Sequence, residues 1–168
     1  MEINSKDQII NYFLSGAKKN VFIGVENEKF LFQEKNNVRA TYSDIKKVFE
    51  IFKKKFEWEE VKENENIVGL KIDGKSISLE PGNQIELSGN KLSNIHEVCS
   101  ESYDFQNQLD QICKETGLKT MSIGYDPITK LGNAPKNPKQ RYELMTKEMP
   151  KGGKLSLNMM YQTSGTQI

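Results

Sequence analysis

Apolar residues fall three and four apart through residues 43–57, placing Ile45, Val48, Phe49, Phe52 and Phe56 on one helical face. Ser43 stands at the start as an N-cap, with Lys46 where a capping box would carry Glu. A longer helix is predicted over 91–116, with Ile95, Val98, Cys99, Ser102, Phe105, Leu109, Ile112 and Cys113 along its stripe. Gly117 occupies the position of a C-terminal cap. A short helix over 5–15 packs Ile9, Ile10, Phe13 and Leu14. Another, over 139–147, precedes Pro150 and the turn Lys151-Gly152-Gly153-Lys154.

Between these helices the period changes to two. Residues 21–26 read as a strand running on towards Phe32. Segments 67–72 and 75–79 flank Asp73-Gly74, a dipeptide suited to a two-residue hairpin because both positions tolerate positive φ. A further strand over 84–88 follows the break at Pro81-Gly82. A strand at 121–125 leads into a Pro- and Asn-rich loop over 127–138, and 155–168 alternates as a final strand. The fold class is α+β, an antiparallel sheet with helices packed on one face. The last strand ends at Ile168 without turn, cap or polar tail, so residues 1–168 are expected to be the N-terminal portion of a longer single domain.

The alternation also sorts the polar residues, because side chains two apart in a strand share a face. Glu26 and Glu28 point one way; Val25 and Asn27 point the other. Ile77, Leu79, Ile85 and Leu87 are core positions, which leaves Ser78, Glu80, Gln84 and Glu86 on the opposite face. Pro81-Gly82 can shift that parity, so Glu80 is less firmly aligned than Gln84 and Glu86. Carboxylates gathered on one sheet face repel unless a cation sits among them. Mg²⁺, a hard ion that bridges carboxylates to phosphate oxygens, is the natural candidate for Glu26, Glu28, Glu80 and Glu86. A solvated acidic sheet face produces the same pattern, and alternation alone does not separate the two readings.

Composition narrows the classes. The 168 residues suit one domain, and a net charge of +1 from 24 basic and 23 acidic residues offers no field for nucleic acid. Apolar residues make up 36%, with 8 Phe and 6 Tyr, which indicates a folded protein rather than disorder. No run approaches the length of a membrane span, and Met1-Glu2-Ile3-Asn4 lacks the layout of a secretory signal. Two cysteines cannot build a disulfide framework, so a cytoplasmic setting is expected.

Other motifs read as structural. His96 and Cys99 have no visible catalytic partner, and Cys99 and Cys113 belong to an apolar stripe. Gly152-Gly153-Lys154 lacks the remaining residues of a phosphate loop. Lys53-Lys54-Lys55 is a solvated helix face. Met159-Met160 alternates within a strand and fits a core position on one side.

Longer strings carry a resemblance. Ile23-Gly24-Val25-Glu26-Asn27-Glu28-Lys29-Phe30 and Ile77-Ser78-Leu79-Glu80-Pro81-Gly82-Asn83-Gln84-Ile85-Glu86-Leu87-Ser88-Gly89 resemble two segments of glutamate–cysteine ligases of the plant and proteobacterial type, with Asn83 in place of a Gly. His96-Glu97-Val98-Cys99, Arg141-Tyr142-Glu143-Leu144-Met145, and Met149-Pro150 with the 159–167 run are similar to further family motifs, in the same order. The resemblance implies a sheet curled into a funnel like that of glutamine synthetases. It also implies ligation of glutamate to cysteine, the first step towards glutathione, with ATP and Mg²⁺. Glu26, Glu28 and Glu86 would be metal ligands, with Glu80 a weaker fourth. Glu86 and Arg141 would be catalytic; Arg141, Gln84 and Gln167 would contact substrate, an arginine fork suiting a glutamate carboxylate. The partners implied are small molecules, with neither nucleic acid nor membrane. Two alternatives stay open: a relative using another amine, or a non-catalytic binding remnant if the chain truly ends at Ile168.

Overall fold

The computed structural model describes residues 2–17 and 20–168. Helix α1 (Lys6–Leu14) is closed by a capping box between Ser5 and Gln8. Its apolar face finds no cover among the described residues: Ile9, Ile10, Phe13 and Leu14 are all exposed, contrary to the packing expected of them. Strand β1 (Glu26–Gln33) starts later than the sequence suggests. Its neighbour ends opposite Glu26, and before that the described residues continue the pairing through a Gly89 N–H to Val25 carbonyl bond and an isolated bridge from Ile23 to Leu92.

Helix α2 (Tyr42–Phe56) buries Ile45, Val48, Phe49 and Phe52, as the spacing requires. The cap is Thr41, not Ser43, and its side chain forms with that of Asp44 the full capping box that Ser43 and Lys46 could not. Such a cap contributes about 1 kcal/mol. Strands β2 (Glu59–Glu63), β3 (Asn66–Ile72), β4 (Lys75–Leu79) and β5 (Ile85–Ser88) follow. Asp73 and Gly74 both adopt positive φ in the β3–β4 turn. Strand β2 escapes sequence reading because Glu59-Glu60-Val61-Lys62-Glu63 has almost no apolar alternation. It lies at the sheet edge, where such charges deter further pairing.

Helix α3 (Ile95–Thr116), capped by Asn94 and ended by Gly117 at φ 67°, buries Val98, Phe105, Leu109, Ile112 and Cys113. Ile95 and Cys99 are exposed, so the stripe reaches the core only from Val98 and Ser102 onward and Cys99 is not part of it. Strand β6 (Leu118–Met121) starts directly after the Gly117 cap, earlier than the 121–125 expected. Helix α4 (Gln140–Glu148) matches expectation. Residues 155–168 do not: they form helix α5 (Ser156–Gln162) and a two-residue strand β7 (Thr166–Gln167). Leu155, Leu157, Met159 and Tyr161 satisfy a period of two, but Leu157, Met160 and Tyr161 also satisfy the helical period, and burial follows the latter.

The sheet is antiparallel throughout, in the order β2-β3-β4-β5-β1-β6, with β7 also paired to β1. Helices α2 and α3 cover one face, enclosing Leu31, Leu70, Ile77, Leu79, Ile85 and Leu87 with Phe49, Phe52, Phe105, Leu109 and Ile112. Each fully buried Leu, Ile or Phe contributes about 1.5–3 kcal/mol, so this layer dominates the stability. A second cluster of Ala134, Tyr142, Met160 and Tyr161 joins α4 to α5. That unit meets the sheet on its acidic side, so the helices are not confined to one face. Among the described residues no helix is long and apolar enough to cross a membrane.

Candidate functional site

The acidic side is built by register. Glu28 of β1 lies opposite Glu86 of β5, which in turn lies opposite Ser78 of β4. Glu80 follows β4 immediately, and a tight turn returns the chain to β5, with Glu80 N–H donating to the Gln84 carbonyl at 2.9 Å. That turn keeps Glu80 on the side of Glu86. Carboxylate oxygens of Glu28, Glu80 and Glu86 lie within 4.8 Å of one another.

The donors around them are few. Glu86 accepts from the Ser78 and Ser88 hydroxyls at 3.3 and 3.2 Å. Glu28 accepts from Gly165 N–H at 2.8 Å and from the Gln167 amide at 3.4 Å. Glu80 accepts from the Tyr142 hydroxyl at 3.1 Å and has Arg141 at 4.0 Å. Among the described residues neither Glu28 nor Glu86 has an ion-pair partner. Burial, followed by the charges of Glu80 and Glu26, pushes the Glu86 carboxyl above its ordinary range. Glu28 is raised too, by burial and then the same two neighbours, against the lowering effect of the Gly165 hydrogen bond. Glu26 therefore acts on the cluster electrostatically, while its own exposed carboxylate stands outside the three converging oxygens.

The remaining sequence candidates sit around this cluster in different ways. Arg141 on α4 stacks on the Tyr142 ring, 4.6 Å from its centroid, and donates to the Tyr142 hydroxyl at 2.6 Å. Its side chain remains largely open to solvent beside Glu80. Gln167 pairs with Glu26 through β7 and reaches Glu28. Gln84 is enclosed: its amide oxygen accepts from Gly82 N–H at 2.8 Å, and its NH₂ donates to the Thr163 and Met160 carbonyls at 2.8 and 3.3 Å. Its polar atoms are engaged in tying the Pro81-Gly82 turn to the end of α5.

Three residues of the site carry no signal in the sequence. Lys139 is buried, donates to the Leu79 carbonyl at 2.8 Å, and places a cation behind Glu80 and Glu86. Burial, with the nearby Arg141 charge, lowers its pKa, which marks a desolvated ammonium. Arg39 and Asp126, 4% and 0% exposed, form a buried ion pair at 2.9 Å. Their types are ordinary in a polar loop, and only the fold brings them together.

The converging oxygens, with hydroxyl and amide donors around them, form a hard donor set that suits a hard cation rather than a soft one. Residues 22–168 match the glutamate-cysteine ligase family 2 (GCS2). The chain is 37% identical to the chloroplastic glutamate–cysteine ligase A of Oryza sativa subsp. japonica over 166 residues, 98% of this chain and 34% of that protein. It is 39% identical to the chloroplastic enzyme of Medicago truncatula and 38% to that of Arabidopsis thaliana, again over 98% of its own length and 33% and 32% of theirs. The chain thus spans about a third of the length of the curated relatives it matches. With 22–168 accounted for in this way, the chain belongs to glutamate-cysteine ligase family 2.

Proposed function

We propose that this chain supplies the metal-binding sheet of an ATP- and Mg²⁺-dependent ligase joining glutamate to cysteine, the first step of glutathione biosynthesis. The observation that carries the reading is the convergence of Glu28, Glu80 and Glu86 within 4.8 Å in a member of this family. Glu28, Glu80 and Glu86 would hold Mg²⁺, with Glu26 adding charge at the rim. The ion, when bound, supplies charge neutralisation for phosphate oxygens.

The protein's own groups have the remaining work. ATP transfers its terminal phosphoryl group to the side-chain carboxylate of glutamate, and the cysteine amine then displaces phosphate to form the amide. Phosphoryl transfer of this kind asks the protein for position and electrostatics rather than a nucleophile. Arg141, solvent-open and planar on its tyrosine, is suited to grip a carboxylate in a bidentate way. Gln167 offers an amide beside Glu28, and Gln84 holds the turn from which Glu80 and Glu86 project.

In the full-length gene product, ADP release is expected to require glutamate and cysteine together, and Glu86→Gln should abolish it. Release with Glu86→Gln at the wild-type rate would overturn the metal assignment. Equal release with any amine in place of cysteine would overturn the acceptor.

A further inference from the structure

The three carboxylates come from separate places in the chain, and one guanidinium touches the supports of all three. Residues 38–40 fold back along β1, where the Phe32–Arg39 bridge and the Ala40 N–H to Leu31 carbonyl bond place Arg39 on the acidic side. There it lies over the Phe30 ring, 4.1 Å from the centroid, two residues along β1 from Glu28. It donates to the Gly82 carbonyl, at the middle of the turn linking Glu80 to Glu86. It also donates to Asp126 at 2.9 Å and to the Tyr161 carbonyl at 3.4 Å.

Tyr161 leads, through Gln162 and Thr163, to Ser164 and Gly165, which hydrogen-bond the Glu28 carbonyl and carboxylate. Asp126 is itself fixed by Ile128 and Thr129 N–H groups at 2.9 and 3.0 Å, and its own N–H binds the Gln162 carbonyl at 2.8 Å. There is no slack at the junction. A Cβ on Gly82 would lie 2.6 Å from the Tyr161 carbonyl and 3.1 Å from the Arg39 guanidinium.

We propose that Arg39 is a positioning residue for cation binding: its fork, locked by Asp126, sets the spacing between Glu28 on β1 and the Glu80–Glu86 turn. The proposal rests on the metal reading above. It assigns to Arg39 no contact with cation or substrate. Five donors in a rigid plane allow one side chain to satisfy three acceptors at once, which a lysine ammonium cannot do in the same geometry.

The test is Mn²⁺ binding to this chain, read from the free-ion electron paramagnetic resonance signal at a temperature where circular dichroism shows each variant folded. Arg39→Lys is expected to weaken Mn²⁺ by about tenfold or more, the usual consequence of losing a partner behind the ligands. Val48→Ala, a cavity in the core on the opposite face, should lower Tm while leaving Mn²⁺ affinity unchanged. A folded Arg39→Lys with wild-type affinity and merely lower Tm would overturn the positioning role. Should Arg39→Lys not fold, the neutral pair Arg39→Gln/Asp126→Asn takes its place: weakened Mn²⁺ supports the role, and wild-type affinity overturns it. A folded wild-type chain that binds no Mn²⁺ would overturn the carboxylate reading itself, a result distinct from binding that ignores Arg39.

Discussion

Glu28 and Glu86 are register partners across the antiparallel β1–β5 pair, so two carboxylates stand directly opposite each other on one face. Like charges so placed destabilise a sheet; in addition Glu86 is buried and Glu28 half-buried, and both are raised in pKa. The fold carries this cost in the absence of a cation.

Glu86→Gln should therefore stabilise the cation-free chain by roughly 1 kcal/mol, since relief of a like-charge pair is worth about that much. Gln retains an oxygen for the Ser78 and Ser88 hydroxyls, so packing changes little. In thermal melts with a chelator, the variant should unfold at a higher temperature than wild type. With Mg²⁺ present, wild type should gain stability and the variant should not. A variant that melts lower in chelator would show that the repulsion is already compensated.

Much of this cluster was legible from parity. Ile77, Leu79, Ile85 and Leu87 alternate so cleanly that the opposite face follows, and Glu26 and Glu28 fall into step with it. What parity does not reveal is that the Pro81-Gly82 turn preserves the face, which brings Glu80 in and leaves Glu26 at the edge. Arg39 was beyond reach for a different reason. Its partners Gly82, Asp126 and Tyr161 lie 43, 87 and 122 residues away, and no local pattern encodes such a meeting. At α5 the sequence satisfies two periods at once, and the choice is made by the second cluster, where Met160 and Tyr161 pack on Tyr142. The apolar face of α1 was equally readable, yet a pattern shows only that a face exists and not what covers it.

Asp126 gives the Arg39 junction a pH signature. Burial raises its pKa, but hydrogen bonds from Thr129, Arg39 and Ile128 outweigh it and hold the carboxyl below the ordinary 3.8. A depressed folded pKa means stability that is complete above about pH 4 and lost as pH falls through the folded value. Asp126→Asn should cost roughly 3–5 kcal/mol at neutral pH, because Arg39 is left buried and unpaired. The difference from wild type, taken from urea midpoints, should shrink steadily below pH 4. A difference that stays constant into strong acid would mean that Asp126 does not carry the pairing.

Gly82→Ala tests the crowding at the same junction without altering any charge. The new methyl meets a backbone carbonyl at 2.6 Å and the Gln84 side-chain oxygen at 2.8 Å, and the former cannot swing aside. A loss of about 1–3 kcal/mol is expected for overpacking of this kind. Gly124→Ala is the matched control, since its nearest neighbour would be at an ordinary 3.7 Å. Equal midpoints for the two variants would refute the tight contact.

Asn83, next in the same turn, should be improvable. It is 2% exposed and holds φ at 60°, a region that costs most residues about 1–2 kcal/mol, asparagine less and glycine little. Among the described residues neither its amide oxygen nor its NH₂ finds a hydrogen-bond partner, and a buried polar group left unpaired costs about 1–3 kcal/mol. Asn83→Gly removes both penalties and gives back part of the gain through the greater freedom of glycine in the unfolded chain. A net rise of about 1 kcal/mol is expected in the denaturant midpoint. Asn83→Ala separates the contributions, because it deletes the amide while adding to the backbone strain, and it should fall below the glycine variant. If both variants lose stability, the amide has a partner, such as a bound water, and the turn is held by Asn83 rather than strained by it.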